Sequence, residues 1–142
     1  MATIRYIPEN KLVTEVIAAV QSARKEILAT ENLEQASLPP GYAEILSAQL
    51  ASGKVVCRRV AFSDRQPSSE QVQMLAGFPG TSRILAGNFP RQRLILIDGK
   101  RLFWSNDNPL IPIACETRDK KFIQEVTRYF EKAWKSARLY NI

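Results

Sequence analysis

The chain has 142 residues, 45% of them apolar and 24% charged, with 20 Lys and Arg against 14 acids and a net charge of +6. That size suits one domain of ordinary globular balance. No apolar run approaches the roughly 18 residues that span a bilayer and no signal-like segment follows Met1, so a cytoplasmic domain with no membrane partner is expected. Histidine is absent altogether, which excludes Ser-His and Cys-His nucleophile pairs and histidine-bearing zinc sites.

The first helix is expected from about Asn10, where Leu12, Val13, Val16, Ile17 and Val20 fall on one face. A short strand follows at Lys25 to Thr30, and Glu31-Asn32-Leu33 with Pro39-Pro40-Gly41 marks a loop. Tyr42, Ile45, Leu46 and Leu50 keep helical spacing, with Gly53 placed as a left-handed C-cap. Lys54 to Phe62 has the β-branched and aromatic weight of a strand. Pro67-Ser68-Ser69-Glu70 opens a helix carrying Val72, Met74 and Leu75, and Gly77-Phe78-Pro79-Gly80 closes it. A short strand at Ser82 to Ala86 and a turn at Gly87-Asn88-Phe89-Pro90 lead into the strongest β signal, Arg91 to Ile97. Asp98-Gly99 is a preferred hairpin turn into Lys100 to Trp104. Ile111 to Cys115 reads as another short strand, and Phe122, Ile123, Val126, Tyr129, Phe130, Ala133 and Trp134 form the apolar stripe of a final helix. This order predicts a single α/β domain, a mixed β-sheet flanked by helices on both faces.

Chemistry concentrates in one stretch. Residues 91–98 read R-Q-R-L-I-L-I-D, and Ser105-Asn106-Asp107-Asn108 follows. On a continuous strand Arg91 and Arg93 project to one face and present two planar donor forks suited to phosphate, sulfate or carboxylate. Asp98 has the opposite parity and reads as a turn residue. Glu31 and Asn32 end the first strand, where open α/β sheets place ligand contacts, which makes Glu31 a pocket candidate. Trp104 could stack on a ring but reads first as packing. Arg58, Arg59, Arg65, Arg83, Lys100 and Arg101 are candidates for a basic surface, although adjacent Arg58 and Arg59 must point to opposite sides of a strand. Neither G-x-x-x-x-G-K-[ST] nor G-x-G-x-x-G occurs, Cys57 and Cys115 read as buried thiols, and no cofactor is expected.

The R-x-R-x-x-x-x-D spacing resembles the H-x-K-x-x-x-x-D signature of the phospholipase D superfamily, with Arg91 at the histidine position, Arg93 at the lysine and Asp98 at the aspartate. Asn108 falls in register with the family's following Gly-Ser-x-Asn segment, whose glycine position holds Ser105. The resemblance implies one phospholipase D-like lobe without its nucleophile, because a guanidinium stays protonated and cannot attack phosphorus as the imidazole does. It is similar to the effector domains of TrmB-type regulators, which lack that histidine too. What it implies is a binding role for an anionic or sugar-like small molecule or a partner, at Arg91, Arg93, Asn108, Glu31 and Ser105, with no catalysis. Since active members bring two motif copies together, it also implies a homodimer. The net charge leaves a second expectation open, a nucleic-acid-binding domain derived from a phospholipase D-type nuclease.

Overall fold

The computed structural model describes residues 3–35, 38–105 and 114–139. In chain order these form β1 (Ile4–Tyr6), α1 (Glu9–Ser22), β2 (Glu26–Asn32), a 3₁₀ turn (Leu33–Gln35), α2 (Tyr42–Ala51), β3 (Val56–Ser63), α3 (Ser69–Ala76), β4 (Thr81–Ala86), β5 (Arg93–Ile97), β6 (Arg101–Ser105), β7 (Ala114–Thr117) and α4 (Lys120–Ser136). The strands make one mixed sheet, ordered β1-β7-β6-β5-β2-β3-β4. Within it β2, β3 and β4 run parallel, and the other pairings are antiparallel.

Helices cover both faces, as expected for the α/β class. On one side α1 and α2 pack over Ile27, Cys57, Ile97 and Phe103. On the same side α3 covers Ala61 and Ile84. On the other, α4 buries Ile123, Phe130 and Ala133 over Leu28, Val60, Leu96 and Leu102. Local chemistry sets the element ends. Ser68 and Gln71 form a reciprocal capping box at α3, and the Asp119 carboxylate caps α4 by accepting from the Phe122 N–H. At the β5–β6 hairpin Asp98 and Gly99 take φ of 55° and 65°, the left-handed pair that a type I′ turn demands.

Several element boundaries differ from the sequence reading. The strand β1 was not expected. α1 starts at Glu9, with Pro8 at the N-cap in place of the expected Asn10. β2 continues through Glu31 and Asn32, held by parallel pairing to β3 as far as Asn32↔Phe62. β5 starts only at Arg93, two residues after the expected Arg91. Of the strand expected at residues 111–115, residues 111–113 lie outside the described residues and β7 begins at Ala114. Among the described residues no helix is long and apolar enough to cross a membrane.

Candidate functional site

The late start of β5 has a local cause, and it shapes the site. Pro90 has no N–H to give a ladder, and side chains hold residues 90–92 instead. The Thr30 hydroxyl donates to the Gln92 carbonyl (2.5 Å) and accepts from the Leu94 N–H (2.9 Å). The Tyr129 hydroxyl accepts from the Gln92 N–H (2.9 Å) and donates to the Pro90 carbonyl. Backbone pairing between β2 and β5 therefore stops at Ala29↔Ile95, and the two strands part beyond it.

Arg91, outside the strand, does not follow its alternation. Its Nη1 donates to Asn32 Oδ1 (3.0 Å), and its Nη2 donates to Asp64 Oδ1 (2.6 Å). Glu34 Oε2 lies 3.7 Å away. The acids at the carboxyl ends of β2 and β3 thus occupy this guanidinium. Burial raises the Glu34 pKa, but the Asp64 N–H at 2.8 Å and the Arg91 charge outweigh it, leaving the carboxyl below its usual range.

Arg93, Glu31 and Ser105 converge elsewhere, on a cavity of about 440 Å³ under α1 and α2. Register explains its floor. Arg59, Ala29, Ile95 and Phe103 are successive partners across β3, β2, β5 and β6. One pleat further, Glu31 sits on β2, while Arg93 and Ser105 face each other across the β5–β6 pair. Ala29 leaves room in the middle of this floor. The wall opposite is aliphatic, from Leu12, Val13 and Val16 of α1 with Leu38. A cavity of this volume, mostly apolar with a few convergent polar groups, has the form of a small-molecule site.

Its most informative residue is Arg59, 1% exposed. The guanidinium donates to the Pro79 carbonyl (3.1 Å) and Ser82 Oγ (3.2 Å), meets Cys57 Sγ at 3.9 Å, and stacks on Phe78 with 5.3 Å to the ring centre. Each of these partners is neutral, and together they are fewer than a guanidinium's N–H groups. Among the described residues no carboxylate lies within ion-pairing distance of it. Burying a charge without a direct ion pair costs several kcal/mol, and the cavity's carboxylate, Glu31, sits one pleat along on β2. An anion in the adjoining cavity would offset that cost. Tyr42 closes the same space, and burial pushes its hydroxyl up to about 12, so it stays a neutral donor there. Burial also raises the Cys57 thiol, against the opposing pull of Arg59.

The expected site residues therefore divide. Arg93, Glu31 and Ser105 share one cavity, Arg91 does not line it, and the clamp expected from Arg91 with Arg93 is not formed. Asn108 lies outside the described residues. Asp98 is the turn residue expected, and its carboxylate does more than turn the chain. It accepts the N–H groups of Arg24, Lys25 and Glu26 at 2.9, 2.8 and 3.0 Å, tying the hairpin to the start of β2. Of the basic surface expected from Arg58, Arg59, Arg65, Arg83, Lys100 and Arg101, Arg65 and Lys100 stand exposed and Arg59 is buried. Arg58 pairs with Glu131 (2.6 Å), Arg83 stacks 4.1 Å over Trp134, and Arg101 binds Glu116, so each is spent inside the fold. Trp104 both lines the cavity and packs on Phe122 at 5.2 Å. Arg59 and Tyr42 were missed as cavity residues, though an Arg-Arg pair within the apolar strand V-C-R-R-V-A-F was a signal that one arginine had to be buried.

A seven-stranded mixed sheet with α1 to α3 on one side, α4 on the other and the R-x-R-x-x-x-x-D strand beside a cavity is a phospholipase D-like fold, a single α/β lobe. Comparisons with solved structures agree. The chain superposes on NucT from Helicobacter pylori with a TM-score of 0.70 at 15% identity, covering 99% of each chain. It matches Nuc, a phospholipase D family member from Salmonella typhimurium, with a TM-score of 0.68 at 18% identity over 100% of this chain and 99% of that one. TrmBL2, an archaeal chromatin protein with a novel mode of DNA binding, gives 0.68 at 12% identity over 97% of this chain and 55% of its own. No protein-family model matches the sequence, and no curated protein does.

Proposed function

We propose that this chain is a phospholipase D-like lobe that binds an anionic small molecule and does not cleave phosphodiesters. The carrying observation is the division of the site. Arg91 stands at the nucleophile's position of the motif and is held by Asn32, Asp64 and Glu34. The adjoining cavity holds the buried Arg59 with only neutral partners among the described residues. A guanidinium cannot act as nucleophile or proton shuttle, but it is well suited to hold an anion. The resemblance supports a regulatory use and a homodimer.

Two assays on the purified chain test this. Hydrolysis of bis(p-nitrophenyl) phosphate should stay at the buffer rate, and a thermal-shift panel should show stabilisation by organic anions and not by neutral sugars. Turnover that disappears in Arg91→Ala would overturn the proposal, as would stabilisation by sugars alone.

One observation favours a second reading, nucleic-acid binding. Lys121, Arg128, Lys132 and Lys135 form an exposed row on α4, spaced at seven, four and three residues. At 1.5 Å per residue the row is about 21 Å long. Duplex binding by this row would weaken steeply with salt. Absence of any duplex affinity at low ionic strength would remove the reading.

A further inference from the structure

The cavity also bears on what kind of anion fits it, an inference that rests on the anion-binding reading above. Its two sides differ in chemistry. The sheet side carries Arg59, with Glu31, Arg93 and Ser105 one pleat along. Among the described residues the α1 side offers Leu12, Val13 and Val16 with Leu38, Pro39 and Pro40, none of which carries a side-chain hydrogen-bonding group, while α2 supplies one hydroxyl, that of Tyr42. A sugar turns hydroxyls outward on every edge of its ring. Those facing α1 would lose water and gain nothing, each unmet hydroxyl weakening affinity by about tenfold or more. An aliphatic or aryl body would fill the same space well.

The charged end is equally selective. Arg59 is the buried guanidinium among the described cavity residues, and with its Nη1 committed to Pro79 and Ser82 it has capacity left for one carboxylate at most. Glu31 and Arg93 lie one pleat along with opposite charges, so they add no net positive charge to the cavity for a second anionic group. At about 440 Å³ the cavity holds roughly 10 to 15 non-hydrogen atoms, taking ~30 Å³ as the share of one water-sized group. We infer that the ligand class is an apolar-bodied monocarboxylate, such as a medium-chain alkanoate or an arylalkanoate, with its carboxylate on Arg59 and its body against α1.

Calorimetric titration with butanoate, hexanoate and octanoate, alongside inorganic phosphate, glucose and 1-octanol, tests it. Affinity should rise about three- to fourfold per added methylene, phosphate and glucose should give no saturable heat, and 1-octanol should bind at least tenfold more weakly than octanoate. Arg59→Gln should abolish octanoate binding. Because that substitution is buried, Val13→Glu provides the second variant. Val13 is 46% exposed at the cavity wall, so the fold should tolerate it, and the new charge should weaken octanoate at least tenfold. Phosphate binding with no dependence on alkanoate length overturns the inference and leaves the anion-binding reading standing. Absence of binding by every anion tested overturns both. Equal affinity for octanol and octanoate removes the role given to Arg59, and unaltered binding in Val13→Glu removes the cavity as the site.

Discussion

Replacing Asp98 offers the sharpest test of how the motif stretch is held. Three backbone N–H groups converge on its half-buried carboxylate, and its own φ is 55°. A hydrogen bond to a charged acceptor contributes about 1.5–3 kcal/mol when the partner is left unsatisfied. Water reaches this site, and roughly halving the sum of three leaves about 3 kcal/mol. Alanine adds about 1 kcal/mol because it lacks the local side-chain hydrogen bonding that lets Asp and Asn adopt the left-handed region. Asp98→Ala should therefore lose about 4 kcal/mol, near 15 °C in Tm for a chain of this size. Asp98→Asn keeps one acceptor oxygen for Lys25 and Glu26 and tolerates the backbone, so it should lose only about 1.5–2 kcal/mol. Asp98→Gly removes all three bonds without backbone strain and should fall between, at about 3 kcal/mol. Urea denaturation followed by far-UV circular dichroism measures all three. The reasoning is refuted if Asn loses as much as Ala, or if all three variants stay within 1 kcal/mol of the parent.

Gly80 has φ +97°, and a Cβ there would lie 2.8 Å from Cys57 Cβ and 2.9 Å from its carbonyl oxygen, whereas a Cβ on Gly87 at φ +104° meets nothing within 4 Å. Gly80→Ala should then lose about 3 kcal/mol and Gly87→Ala about 1 kcal/mol in the same denaturation series; equal losses would show that backbone strain alone governs both. Acid should destabilise the fold in a defined direction. Burial raises the carboxyls of Asp98 and Glu116, but the N–H groups on Asp98, and Arg101 and Arg5 on Glu116, outweigh it and leave both below their usual range. Depressed carboxylates stabilise above their unfolded pKa, and that stability is lost as pH falls through the folded values, so the unfolding free energy should drop below about pH 4. The drop should shrink in Glu116→Gln, and an unchanged profile in that variant would contradict the assignment. Arg91→Ala, outside the cavity, should lose about 1 kcal/mol in denaturation and change octanoate affinity less than twofold; a larger binding effect would place Arg91 in the site after all.

The sequence disclosed the fold well where pattern and chemistry coincide. The α4 stripe, the Asp98-Gly99 turn, the helix opening at Pro67-Ser68-Ser69-Glu70 and the strand expected at Lys54 to Phe62, observed as Val56–Ser63, are each legible from apolar pattern or turn and cap chemistry. β1 escaped because the alternation of Ile4-Arg5-Tyr6 spans only three residues, which become a strand through pairing with β7, as in Tyr6↔Cys115. The site was half legible. Strand parity for Arg91 assumed a ladder that Pro90 cannot enter, and the hydroxyls of Thr30 and Tyr129, remote in sequence, decide where β5 begins. Arg59 was not legible as a cavity residue, because the cavity beside it exists only once α1 and α2 fold over Ala29.

Arginine side-chain NMR tests the central claim most directly. With the chain labelled in nitrogen-15 and titrated with octanoate, the Nε–H resonance of Arg59 and the backbone amides of Ala29 and Ile95 should shift together along one saturable curve, while Arg91 stays in place. Saturable shifts at Arg91, with Arg59 unmoved, would contradict it.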